Sequence, residues 1–284
     1  MFYFWEVSHL NLPFCNIQVI SSHPTCKSNQ KLLYKIFANT LFTGQQLVFV
    51  PECHSTNSLA SELATKNILS EGSVVITTNQ TAGRGQRGNA WETAAELNLT
   101  FSILVKPTFL SVKNQFYLTI ITSLAVVDFL KEQSVAEVKI KWPNDILIGK
   151  KKICGILIEN SVQQETIQQS ILGIGLNINQ KNFGISTATS LAVVKDRDFD
   201  LNESLNFLLE NFEKRYLQLR SGKLAELKSG YLENLFGIGE PQTFISNGKE
   251  FEGIIEGVNE NGELKVSDNG NTSSFKLKEI SLRH

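Results

Sequence analysis

Two stretches hold side chains suited to chemistry on anions. From Asn79 to Trp91 the chain reads N-Q-T-A-G-R-G-Q-R-G-N-A-W. Gly83, Gly85 and Gly88 let the backbone approach a ligand closely, and N–H groups in such a turn form an anion-binding nest. Arg84 and Arg87 add planar, forked donors that match phosphate or carboxylate. The second stretch is Val138-Lys139-Ile140-Lys141-Trp142-Pro143-Asn144-Asp145. Alternation puts Val138, Ile140 and Trp142 on one face of a strand and Lys139 and Lys141 on the other. Pro143 cannot donate a ladder bond, so the strand bends or bulges there, a device that re-aims side chains beside active sites. After a turn at Gly149 come Lys150, Lys151 and Lys152. A lysine-guarded edge hairpin accounts for Lys150 and Lys151. It leaves the Trp-Pro-Asn-Asp break after Lys141 unexplained. A weaker third signal is Ser55-Thr56-Asn57 ahead of a helical pattern over Ser58–Leu69. Helix capping alone explains these residues, although a helix start also offers N–H groups and hydroxyls to a polar ligand.

The elements that must position these residues follow from periodicity. Gln46–Val50, Val74–Thr78 and Asn98–Val105 read as strands, so the glycine-rich stretch is a loop between two strands. The glycines fit G-x-G-x-x-G, but a dinucleotide fingerprint requires a helix directly after them, and here a strand follows. Lys113–Glu132 reads as a long helix with Phe116, Ile120, Leu124 and Val127 on one side, covering a sheet face. Ile153–Ile158 forms the second arm of a hairpin. Thr166–Asn179 is a strand in which Gly173 and Gly175 mark close approach or a bend. Leu201–Leu219 and residues 223–236 are further helices. Lys31–Phe42 is expected to be a short helix, and residues 1–30 an appendage. From Glu240 the texture changes to short strands punctuated by Asn247-Gly248, Asn261-Gly262 and Asn269-Gly270, which predicts a small barrel built of hairpins.

The 284 residues are 42% hydrophobic, enough for one large core and a small second unit. The net charge of −1 gives no overall basicity for nucleic acid or an anionic membrane. Cys15, Cys26, Cys53 and Cys154 make no C-x-x-C pair and read as thiols of a reducing compartment. His9, His23, His54 and His284 have no metal-ligand spacing, so no metal site is expected. No apolar run is long enough to span a bilayer, and the first residues lack the basic region of a secretory signal. A cytoplasmic enzyme is the expectation.

With both stretches in place the chain resembles the biotin–protein ligases. The resemblance is carried by Gly83-Arg84-Gly85-Gln86-Arg87-Gly88, Lys141-Trp142-Pro143-Asn144-Asp145 and Lys152-Ile153-Cys154-Gly155-Ile156, supported by Ser55-Thr56-Asn57 and Gly173–Asn177. These motifs stand in family order, and the similarity runs from about residue 45 to the end. It implies an α+β fold: a mixed β-sheet with flanking helices, of the class II aminoacyl-tRNA synthetase type, plus a small C-terminal SH3-like β-barrel. The units expected are an extension over 1–44, a catalytic biotin/ATP-binding domain over 45–237 and the barrel over 238–284. It implies that biotin and ATP, with Mg²⁺, form biotinyl-5′-adenylate. A lysine of a carboxylase's biotin carrier domain, of the acetyl-CoA carboxylase type, then takes the biotinyl group.

By the same resemblance, Lys141 and Arg84 are catalytic, with Lys141 touching both the biotin carboxylate and the phosphate. Ser55, Thr56, Asn57, Gln80, Gly83, Arg84, Gly85, Gln86, Lys141 and Gly155 match biotin-binding positions. Arg87, Trp91, Asn144, Lys152 and Asn177 match the nucleotide side. Two departures stand out. The sequence shows no helix-turn-helix of the kind the family's regulatory members carry, so DNA is not an expected partner. Gln86 replaces the family's usual arginine. A homodimer is left open. The competing readings are a biotin-sensing regulator without turnover, opposed by Lys141 and Arg84, and a lipoate–protein ligase, opposed by the pairing of K-W-P-N-D with G-R-G-x-x-G.

Overall fold

The computed structural model describes residues 3–6, 18–21, 34 and 38–283, with the side chains of 3–6, 18–21 and 87 left aside. In chain order the strands of the main sheet are β1 (Tyr3–Glu6), β2 (Gln18–Ser21), β3 (Gln46–Cys53), β4 (Val74–Gln80), β5 (Leu99–Val105), β6 (Val138–Lys141), β7 (Asp145–Ile148), β8 (Lys151–Gln163) and β9 (Thr166–Leu176). They line up in the order β1-β2-β3-β4-β5-β9-β8-β7-β6. Only β3 and β4 run parallel, because α1 (Thr56–Thr65) carries the chain back between them; every other ladder is antiparallel.

The alternation of β5 separates two faces. Leu99, Phe101, Ile103 and Val105 point into the larger core, with α2 (Phe116–Glu132), α4 (Leu201–Arg220) and α5 (Leu224–Glu233). Leu104 points to the opposite face and packs with Leu59, Ala60 and Leu63 of α1. Thr100 and Ser102 share that second face by the period of two. The helix α2 is buried around most of its circumference, as expected of an element wedged between a sheet and other helices. The five-residue α3 (Leu191–Lys195) completes the helices.

Two N-terminal expectations are corrected. β1 and β2 continue the main sheet by pairing onto β3, so part of the expected appendage covers what would otherwise be an open sheet edge. Of the stretch read as a short helix, Tyr34 and Ala38–Phe42 are described, and none is helical. The amides there are taken by α4. Ala38 N–H donates to Asn206 Oδ1 and Asn39 N–H to Glu210 Oε1, each at 2.7 Å, while Leu41, Phe42 and Thr43 donate to the buried Glu213 carboxylate.

The C-terminal unit is an antiparallel sheet of β10 (Pro241–Ser246), β11 (Lys249–Val258), β12 (Leu264–Asp268), β13 (Asn271–Phe275) and β14 (Ser281–Leu282), in the order β13-β12-β11-β10-β14. Its turns at Asn247-Gly248 and Asn269-Gly270 hold both residues at positive φ, the geometry for which Asn-Gly is selected. The ladders do not join β13 to β14, so closure into a barrel is not part of the observed pairing. Phe244, Ile255, Leu264 and Ile280 join the main core, which is how so small a unit finds enough apolar partners.

Candidate active site

One row of register partners crosses four strands and reaches a fifth. Lys141 pairs with Asp145, Asp145 with Gly155, Gly155 with Gly175, and Gly175 with Thr100. Direct partners on neighbouring strands share a face. The row therefore places a lysine and an aspartate at one end of a stretch of bare backbone. In the next row Leu157 faces Gly173, which faces Ser102. These rows line a cavity of about 380 Å³ on the α1 side of the sheet.

The tip between β6 and β7 corrects the expected bend or bulge at Pro143. The chain reverses there, through a cis Trp142–Pro143 peptide, and Lys141 and Asp145 end up opposite one another. The register shift lies further on, between Ile146 and Leu147. Asn144 fixes the tip, its Nδ2 donating to Ile156 O at 2.6 Å. Trp142 packs on the core and donates its Nε1–H to Gly262 O, 2.8 Å away in the C-terminal unit.

The glycine-rich stretch folds as a small loop over the same cavity. Gly85 N–H donates to Asn89 O at 2.7 Å and Trp91 N–H to Gly83 O at 3.0 Å. Trp91 then lies on the floor. A Cβ on Gly155 would stand 3.0 Å from its Cζ3, and one on Gly175 2.3 Å from its Cε2. Glycine is needed at Gly175 because any side chain would occupy the indole's place. Lys152 Nζ sits 5.4 Å from the Trp91 ring centroid and 2.7 Å from Asp145 Oδ1, an ion pair that also feels the ring face.

At the start of α1, Ser55 takes the capping position but makes no side-chain cap bond. Gln80 does that work, its Oε1 accepting the Thr56 N–H at 2.9 Å. The hydroxyls at positions 55 and 56 are therefore not consumed by capping. Asn57 rests on Gly173, where a Cβ would meet its Oδ1 at 2.3 Å. Its Nδ2 donates to Glu159 Oε2 at 2.8 Å and to Leu157 O at 3.2 Å, and its Oδ1 accepts from Ser102 Oγ at 2.7 Å. Arg84 reaches the same glutamate at 3.1 Å.

Burial lowers the pKa of Lys141 from its ordinary value; Asp145 opposes this and Lys152 adds to it. Arg84, Lys141, Lys152 and Lys278 thus bring four cationic side chains to a cavity whose lining contains the single carboxylate Asp145 among the described residues. That balance suits anionic ligands.

Of the residues expected from sequence, Ser55, Thr56, Asn57, Gln80, Arg84, Gly85, Gln86, Trp91, Lys141, Asn144, Lys152 and Gly155 line this cavity. Gly83 lies behind it, where a Cβ would stand 2.2 Å from Trp91 O. Asn177 is buried outside the lining, with Nδ2 bonded to Thr189 O at 3.0 Å and Oδ1 without a partner. The Arg87 side chain lies outside the described residues. Ser102 and Glu159 were not anticipated. No group of three or more His, Cys, Asp or Glu residues that could hold a metal occurs among the described residues.

Comparison with known proteins agrees with this geometry. The Biotin/lipoate A/B protein ligase family matches residues 50–177. The Bifunctional ligase/repressor BirA of Bacillus subtilis is 30% identical over 244 residues, covering 84% of this chain and 74% of the relative. The Biotin--[acetyl-CoA-carboxylase] ligase of Mycobacterium tuberculosis is 30% identical over 233 residues, covering 80% of this chain and 85% of the relative. The biotin protein ligase of Aquifex aeolicus, solved in complex with biotin and ATP, matches with a TM-score of 0.70 at 27% identity, over 84% of this chain and 98% of that one. The chain belongs to the biotin/lipoate A/B protein ligase family, among its biotin–protein ligases.

Proposed function

We propose that this site joins biotin to ATP as biotinyl-5′-adenylate and then passes the biotinyl group to a lysine on the biotin carrier domain of a carboxylase. The observation that carries the proposal is the row Lys141–Asp145–Gly155–Gly175, cationic at one end and stripped of side chains beyond. In the first step a biotin carboxylate oxygen bonds to the α-phosphorus as the bond to pyrophosphate breaks. Both reactants are anions, so positive charge fixed where they meet lowers the barrier. Lys141 supplies it as a point charge, and Arg84 offers a fork from the loop above. Ser55, Thr56, Asn57 and Gln80 offer polar groups suited to a cyclic urea. Trp91, Lys152 and Asn144 form the nucleotide side.

In the second step the carrier lysine's neutral amine attacks the acyl carbon, the bond to AMP breaks, and the amine's proton leaves. Magnesium enters with the triphosphate as part of the substrate; such ions keep several waters and need few protein ligands. Residues 45–237 are assigned as the catalytic unit and 238–284 as the C-terminal unit, preceded by an extension over 1–44 that adds β1 and β2 to the catalytic unit's sheet. No helix among the described residues is long and apolar enough to cross a membrane. Work in the cytoplasm, where ATP and thiols such as Cys53 and Cys154 persist, is part of the proposal. The net charge of −1 supports leaving DNA out of it.

The test is incubation with ATP, Mg²⁺ and either biotin or lipoate, with and without a biotin carrier domain. Pyrophosphate release and acceptor mass are followed. Biotin-dependent pyrophosphate and a carrier heavier by one biotinyl group are expected. Modification by lipoate alone overturns the proposal.

A further inference from the structure

Glu159 belongs to no motif that drew attention to the site, yet it touches both halves of the biotin side. It sits on β8, on the same face as Gly155 and Leu157 by the strand's period of two. Its Oε2 accepts from Asn57 Nδ2 at 2.8 Å, and its carboxylate meets Arg84 at 3.1 Å. One carboxylate therefore links the start of α1 to the glycine-rich loop.

The two contacts have different consequences. At Asn57 the carboxylate decides an orientation. With Glu159 and Leu157 O both accepting, the NH₂ group must face them, and the oxygen must face Ser102 and Gly173. An amide oxygen has two lone pairs, so one is left for an N–H of a ligand. If Asn57 turned over, its oxygen would face a carboxylate, and the site would lose that acceptor. At Arg84 the contact is a latch. The partners' side chains are 49% and 39% exposed, so water weakens the pair. A latch of this strength holds the loop near the cavity and still releases it.

We propose that Glu159 is the positioning residue that forms the biotin half of the site before biotin arrives, by orienting the Asn57 amide and latching Arg84. The proposal rests on the biotin–ATP reading above. It also implies that the loop is held by the protein itself and not by ligand alone.

The experiment compares the full-length protein with Glu159→Gln and Glu159→Ala. Trypsin nicking after Arg84 and Arg87 is measured by mass spectrometry without ligand. KM values for biotin and ATP and kcat are measured by pyrophosphate release, and Tm serves as a control. Glutamine keeps an acceptor for Asn57 but removes the charge from Arg84. Both variants are expected to be nicked several-fold faster than wild type. The biotin KM should rise roughly tenfold in Glu159→Ala, the scale of one lost charge-assisted bond, and less in Glu159→Gln. ATP KM, kcat and Tm should change much less. A merely structural role would move Tm and both KM values together, and that result overturns the proposal. So does unchanged nicking in both variants, or a biotin KM in Glu159→Ala within twofold of wild type. If wild type releases no biotin-dependent pyrophosphate, the assigned activity is what fails, and nicking still decides the latch. If Glu159→Ala does not fold, Glu159→Gln alone decides by nicking and biotin KM.

Discussion

A Cβ on Gly175 would stand 2.3 Å from Cε2 of Trp91, so one residue's missing side chain is the other's seat. Gly175 lies on β9 and Trp91 ends the loop 84 positions earlier, yet each constrains the other. The indole covers the bare strand, and the strand fixes how far the loop can descend.

Gly175→Ala should therefore displace Trp91 without unfolding the sheet. Overpacking of this kind costs about 1–3 kcal/mol, most of it relieved here by lifting the indole. The expected result is a KM for ATP raised roughly tenfold at nearly constant Tm, read from pyrophosphate release over a range of ATP. A lowered Tm with unchanged ATP KM would show that the contact serves stability alone.

Much of this arrangement was legible in the sequence, and the limits have physical causes. Strands β4, β5, β8 and β9 and helices α2, α4 and α5 announce themselves through local periodicity. Gly173 and Gly175 were readable as points of close approach or a bend, and the seats of Asn57 and Trp91 decide for close approach. Glu159 was not readable. Its partners Asn57 and Arg84 lie 102 and 75 residues away, and a lone acid late in a strand looks like a solvated one. Ser102 was hidden for the same reason, as a small polar residue in an apolar alternation. The two N-terminal strands escaped notice because short sequences gain strand character by pairing with an existing edge. Pro143 was read correctly as a break, but the choice between a bend and a reversal depended on Asn144 bonding to β8.

Lys141 carries a paired prediction in rate and pH. Lys141→Ala should slow adenylate formation by about 10²–10³, the usual loss when one group that stabilises developing charge is removed, with the circular dichroism unchanged. Burial lowers the Lys141 pKa below its ordinary 10.5. The rate needs the protonated form, so its alkaline limb should fall below 10.5. Stability runs the other way. The folded state favours the neutral lysine more than the unfolded chain does, so this group's contribution to stability rises as pH climbs from its folded pKa towards 10.5. Rate and unfolding free energy measured over the same alkaline range, against Lys141→Arg, check the sign. An alkaline limb that persists in Lys141→Arg would assign it to another group.

Glu213 tests how the N-terminal segment is held. Its buried carboxylate accepts N–H bonds from Leu41, Phe42 and Thr43, the last two at 2.9 and 2.8 Å. In Glu213→Gln one acceptor oxygen becomes a donor facing N–H groups. Leaving buried donors unsatisfied costs about 1–3 kcal/mol each, so Tm should fall by several degrees while KM for biotin and ATP stays close to wild type. A Tm within a degree of wild type would mean that the segment finds other acceptors.

Gln86 bears on how long the reactive anhydride survives. It begins the 3₁₀ turn Gln86–Gly88 at the loop's tip and lines the cavity, where the resemblance leads one to expect arginine. A neutral amide meets a phosphate with charge on the acceptor alone, whereas an arginine adds its own positive charge and a fork of two parallel donors. Until a carrier domain docks, the loop must keep the adenylate from water and from unrelated lysines. Gln86→Arg should lengthen the half-life of bound biotinyl-adenylate after dilution and reduce biotin transfer to an unrelated bulk protein when no carrier is present. The rate of adenylate formation should change less, because retention acts after the phosphorus–oxygen bond has formed. Lys141 and Arg84 already supply cationic groups nearby, so the gain measures what a charge at the tip adds to theirs. Equal half-lives in the two proteins would show that they, with the closed loop, retain the intermediate without it.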